Sequence, residues 1–198
     1  MSSVVSKDDG IIIYYWGPTM MKMYGRAIGI YLTLNQAGAK YDMQPPNKMP
    51  PGGSFAPPCL SMDGVLMGQA PMILSALGEK YGLGGHNAQE KLIVMHMLGD
   101  VNDIAVEVMD KKFDDEKRKD KWFAYLEKQL EGRKWLAGTS APTVADFHGV
   151  FAMEWIKKFG YDFSAYPNIN KWWADIQTYP VVKDLYASLK PNGLTMLP

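Results

Sequence analysis

Every run in this chain that can form a strand lies before about residue 85. Beyond it, apolar residues recur only at helical spacing. That asymmetry rules out an alternating parallel-sheet fold and an all-β fold. In the first part, Ile11 to Trp16 reads IIIYYW between Gly10 and Gly17-Pro18, the pattern of a short buried strand. Residues 24 to 37 follow at helical spacing, with Gly38 as a stop. KYDMQ reads as a second strand. The stretch from Pro45 to Pro58, PPNKMPPGGSFAPP, holds six prolines and two glycines and can only be a loop. CLSMDGVLMG then reads as two strands about the Asp63-Gly64 turn, and GQAPMILSALGEKYGL as a closing helix. The order is β-α-β-β-β-α over residues 1–83.

After the Gly-rich linker at 84–87, Val94, Met97, Leu98, Val101, Ile104, Ala105 and Val108 lie on one helical face. Residues 118–131, 143–158 and 169–177 repeat that grammar, and a short helix follows Pro180. The expected fold class is therefore α/β plus all-α, with a second, wholly helical domain over 88–198.

Several function classes are excluded. Lys plus Arg and Asp plus Glu are 21 each, so no global charge draws the chain to nucleic acid. The mixed run KKFDDEKRKDK at 111–121 is a solvated surface rather than a basic patch. Cys59 is the single cysteine, so no internal disulfide can form. The three histidines have no metal-ligand spacing, and no phosphate-loop motif is present. The first ten residues lack an apolar signal core, and no stretch approaches the roughly 18 apolar residues of a membrane span. A cytoplasmic protein with no metal is expected.

Five segments in this order resemble the cytosolic glutathione transferase superfamily, in particular its tyrosine-type, sigma- and mu-like classes. They are YYW at the first strand end, GRAIGIYLTLNQAGAKYD, PPCLSMDGVLMGQAPMILSALGEKYGL, APTVADFHGVFAMEWI and YPNINKWWADIQTYPVVKDL. The resemblance implies a thioredoxin-like domain that binds glutathione and a helical bundle that forms the electrophile pocket. It makes Tyr15, of the Tyr15-Trp16 pair, the group that stabilises the glutathione thiolate. Tyr14 beside it and Thr19 in the lengthened 17–24 loop are the alternatives. Pro58 matches the family's cis-proline, whose role would be to turn the Cys59 backbone toward the cysteinyl unit of glutathione. Lys48 falls in the loop that would hold the glycyl carboxylate. Asp103 matches an aspartate that crosses the dimer interface to the partner's glutathione amine. Arg26 suits either a structural or a site role.

Beyond the lengthened 17–24 loop, the resemblance fails at one further place. The family has Gln-Ser or Glu-Ser at the entrance of the closing helix, where the serine caps the helix and holds the γ-glutamyl carboxylate. This chain has Gln69-Ala70. A lost hydrogen bond to a charged group is worth about 1.5–3 kcal/mol. The implied function is conjugation of glutathione to a small hydrophobic electrophile by a homodimer. A non-catalytic glutathione-transferase-like protein and a glutathione-dependent isomerase are the alternatives. Thr143-Val144-Ala145-Asp146 is expected to form a structural capping box.

Overall fold

The computed structural model describes residues 10–17, 21–51 and 54–198. Thr19 lies outside them. Strand β1 (Ile11–Tyr14) is followed by a 3-10 turn at Gly25–Ala27 and helix α1 (Ile28–Ala37). Then come β2 (Tyr41–Gln44), β3 (Cys59–Met62), β4 (Val65–Gly68) and α2 (Ala70–Tyr81). The strands form one sheet in the order β2-β1-β3-β4. β1 is parallel to β2 and antiparallel to β3, and β3 is antiparallel to β4. This is the expected order, although β1 stops two residues short of Trp16. The Tyr15 N–H still reaches the Gln44 carbonyl at 3.0 Å, after which Gly17 turns the chain at φ +44. Between β2 and β3 the proline-rich segment contains a 3-10 turn, Pro46–Lys48.

The rest of the chain is helical. It comprises α3 (Ala88–Met109), α4 (Glu116–Gln129), α5 (Val144–Lys158), α6 (Pro167–Thr178) and α7 (Pro180–Leu189). Every residue of α5 from Val144 to Met153 is buried, as a helix packed on all sides must be. No helix among the described residues is long and apolar enough to cross a membrane.

Asp146 is the polar centre of this core. It is 0% exposed. Oδ2 accepts the Thr143 N–H at 2.8 Å, the expected half of the capping box, and also the Thr143 hydroxyl at 3.0 Å. Oδ1 accepts the Leu136 N–H and the Trp172 Nε1–H, both at 2.9 Å. One carboxylate thus ties the start of α5 to the loop before it and to α6. Burial raises its pKa, and these donors oppose that rise. The Trp172 ring packs on Gly149, where an added Cβ would stand 2.8 Å from Cη2. We predict that Gly149→Ala costs about 1–3 kcal/mol through overpacking. Thermal unfolding monitored by tryptophan fluorescence would check it, and an unchanged midpoint would contradict the packing.

The segment after β1 is held from the far end of the chain. The Thr195 N–H donates to the Lys22 carbonyl at 2.8 Å. The Tyr24 and Gly25 N–H groups donate to the Thr195 and Met196 carbonyls at 3.2 and 2.8 Å. Met196 and Leu197 are buried beneath this pairing.

Candidate functional site

A cleft of about 270 Å³ opens where the sheet half meets α3. It is lined by Arg26, Ala56 to Pro58, Gln69 to Pro71, Asn102 and Val106. Three local structures build it. The first is the 3-10 turn before α1, which carries Arg26. Its guanidinium has only a weak contact to Met109 Sδ at 3.7 Å and no ion-pair partner among the described residues. A positive charge is therefore available to a ligand.

The second is the entrance to α2. Gln69 takes the cap position at φ 66 and ψ 103, with no side-chain capping bond. Its carbonyl accepts from the Met72 and Ile73 N–H groups at 2.9 and 3.0 Å. Ala70 is therefore the first helical residue rather than the cap, which corrects the expectation drawn from the family's serine. Pro71 has no N–H to offer. The Ala70 N–H is left outside the helical ladder at the positive end of the helix dipole, a natural place for an anion.

The third is the approach to β3, where the Pro57-Pro58 bond is cis. Here a second expectation is corrected. Cys59 is the first residue of β3, 0% exposed, and lies in register between Tyr14 on β1 and Gly68 on β4. Flanked on both edges within the sheet, it has no free strand edge for a peptide. The stretch that lines the cleft is Ala56 to Pro58. Proline has no N–H, so a strand-like ligand that meets Pro57 can pair with its carbonyl but loses one of two main-chain bonds. Burial pushes the Cys59 thiol pKa up, as suits a small core residue.

Tyr15 sits behind Arg26. It is 4% exposed, and its hydroxyl accepts the Arg26 N–H at 2.9 Å. Gly25, at φ +51, lies directly against that hydroxyl, where any Cβ would collide. Burial raises the Tyr15 pKa, and the Arg26 N–H and charge only partly oppose it. The phenol therefore keeps its proton at neutral pH. It has one acceptor bond filled and one proton to donate. Tyr14, the neighbouring alternative, turns its side chain to the other face of the sheet.

The remaining expected residues lie outside the cleft lining. Trp16 is 38% exposed and packs edge-on against Tyr15 at 5.5 Å. Lys48 is exposed at the end of its 3-10 turn, and Asp103 is exposed on α3. The helix instead turns Asn102 and Val106 into the cleft. These two are one turn apart and flank the buried stripe of Val101, Ile104 and Ala105. Sequence reasoning followed the acidic residues of α3 and passed over this neutral pair. The i, i+4 spacing beside that stripe is the signal that could have found it.

A four-stranded mixed sheet with a cis-proline before its third strand, a helix N-terminus at a cleft and a helical half closing that cleft define a class. It is the thioredoxin-like sheet domain joined to a helical bundle. Comparison with known proteins agrees. Residues 104–180 match the family model for the glutathione S-transferase C-terminal domain. Over the whole chain, the structure resembles the glutathione S-transferase of Ascaris lumbricoides. The TM-score is 0.75 at 21% identity, covering 90% of this chain and 96% of that one. A Caenorhabditis elegans glutathione S-transferase gives 0.72 at 22% identity, covering 91% and 98%. A glutathione transferase of Methylococcus capsulatus gives 0.72 at 19%, covering 93% and 100%. No curated protein shows a significant sequence match. The chain has the glutathione transferase fold, and within it residues 104–180 match the model of the glutathione S-transferase C-terminal domain.

Proposed function

We propose that this chain is a glutathione transferase of the tyrosine-type, sigma- and mu-like kind. In this reading residues 1–83 bind glutathione, and residues 88–198 shape a pocket for a small apolar electrophile. The observation that carries it is the convergence, in one cleft, of the α2 N-terminus, Arg26 (without an ion-pair partner among the described residues) and the Pro57-Pro58 segment, with the Tyr15 hydroxyl just behind. The first two suit an anionic peptide terminus, and the third suits a peptide backbone. Tyr15 would donate its proton to the glutathione sulfur and so favour the thiolate, which attacks the electrophilic carbon. No step calls for a metal. Detoxification in the cytoplasm is the role this chemistry implies.

Ala70 lacks the family's hydroxyl and Pro57 lacks an N–H, so glutathione is expected to bind weakly. Calorimetric titration at millimolar glutathione, followed by a chloronitrobenzene-type conjugation assay, tests the reading. Ala70→Ser should tighten binding about tenfold, the value of one restored bond to a charged group. Absence of binding would overturn the reading. The same two losses favour a second reading, a non-catalytic relative of this fold. Binding without turnover across a panel of electrophiles would select it.

The reading also includes a homodimer. Phe55 is 102% exposed in the loop before β3. Val65 on β4, Met72 on α2, and Leu92 and Met95 on α3 are also large, apolar and more than half exposed. Such side chains on neighbouring elements suit a partner's surface. Asp103, exposed on the same helix, would then face the partner's cleft. Light scattering is expected to give a dimer mass for the wild type and a shift toward monomer for Phe55→Ser.

A further inference from the structure

His148 lies on α5, 1% exposed, in the wall behind Asn102. Its ring stacks on Phe151, with centroids 5.7 Å apart and planes at 24°. Its other side faces Gly29 of α1, where a Cβ would stand 3.2 Å from Nδ1 and 3.1 Å from the His148 Cα. Nδ1 has no hydrogen-bond partner among the described residues. The remaining ring nitrogen, Nε2, lies 3.4 Å from Asn102 Oδ1.

Burial, with the nearby Arg26 charge, lowers the His148 pKa to about 4, so the ring is neutral near pH 7. A neutral imidazole has one N–H and one bare nitrogen. Oδ1 can only accept, so the N–H belongs on Nε2 and the bare nitrogen is the unpartnered Nδ1. A bare acceptor facing the carbon wall of Gly29 costs less than an unmade N–H donor placed there. The bond then fixes the Asn102 amide. With Oδ1 committed to His148, the Nδ2 group and its two donors remain for the cleft that Asn102 lines. Arg26 lines the same cleft.

We infer that Asn102 is a ligand-binding residue of this cleft and that His148 is its positioning residue, together presenting an amide donor beside Arg26 to the anionic γ-glutamyl end of glutathione. The inference rests on the glutathione reading. It supplies side-chain donors, which Ala70 lacks, from the helical half rather than from the sheet half.

The test is a set of calorimetric titrations on the full chain, with folding checked by thermal unfolding. The ligands are glutathione and γ-aminobutyryl-cysteinyl-glycine, which lacks the γ-glutamyl α-carboxylate. Asn102→Ala is expected to weaken glutathione binding about tenfold, one hydrogen bond to a charged group, and to leave the carboxylate-free peptide unaffected. His148→Phe, which keeps the stack on Phe151, should weaken glutathione about as much. The double variant should be no weaker than either alone. His148→Gln, whose amide can donate to Oδ1, should restore most of the affinity. Long-range proton–nitrogen spectra should show the His148 ring neutral and protonated on Nε2. Unchanged glutathione affinity in Asn102→Ala, equal losses toward both peptides, additive effects in the double variant, or a proton on Nδ1 would each overturn the inference. Failure of the wild type to bind glutathione at all would overturn the parent reading and this inference with it.

Discussion

Asp146→Ala is expected to lose about 3–5 kcal/mol of folding stability, the cost of breaking a buried charged network by removing one member. The carboxylate is the acceptor for four groups on three segments. Its removal leaves the Leu136 and Thr143 N–H groups and the Trp172 indole N–H buried without a partner, at about 1–3 kcal/mol each if nothing moves. Relaxation and water entry recover part of that sum. Asp146→Asn should fall between the two, because its single oxygen keeps one pair of donors while its amide N–H₂ meets the Thr143 N–H head-on. Urea denaturation is the measurement. A midpoint near that of the wild type for the alanine variant would mean that α5 does not depend on this carboxylate.

Tyr15→Phe is expected to lower kcat/KM for conjugation on the order of 10²-fold, the usual effect of removing one preorganised donor to a developing anion. Glutathione affinity should change little, since in the proposed mechanism the tyrosine bonds the sulfur rather than the peptide. The pH profile supplies the sign. Donation to the thiolate lowers the thiol pKa, so its loss should move the rise in kcat/KM to higher pH, toward the range of a free thiol at about 8.5. Stability should fall by only about 1 kcal/mol, for the Arg26 N–H left without its acceptor. Unchanged activity in Tyr15→Phe would remove Tyr15 from the mechanism and direct attention to Thr19.

Much of the architecture was legible in the sequence because it rests on periodicity and punctuation. The stripe from Val94 to Val108 could bury itself only as a helix, and Pro45 to Pro58 could not sustain a ladder. The site was less legible because it depends on register. One residue separates Pro58, which still lines the cleft, from Cys59 inside the sheet. Likewise one residue separates Gln69 at the helix cap from Ala70 within the helix. Asp103 and Asn102 differ by the 100° that separates solvent from cleft. Local composition is the same on either side of each of these boundaries. Only the packed neighbours decide them. The His148–Asn102 pair spans 46 residues and two helices, and no spacing rule connects its members.

The pairing of Thr195 and Met196 with Lys22, Tyr24 and Gly25 bears on the order of assembly during synthesis. Gly25 is the residue against which the Tyr15 hydroxyl rests, and its N–H is satisfied by a carbonyl that the ribosome adds about 170 residues later, as the 173-residue separation of Lys22 and Thr195 records. The sheet strands can pair as soon as they emerge, since domains tend to form in the order they are made. The turn at residues 22–25 cannot be completed at that stage. A nascent chain that already has its sheet therefore still lacks the finished surroundings of Tyr15 until Thr195 and Met196 have been made.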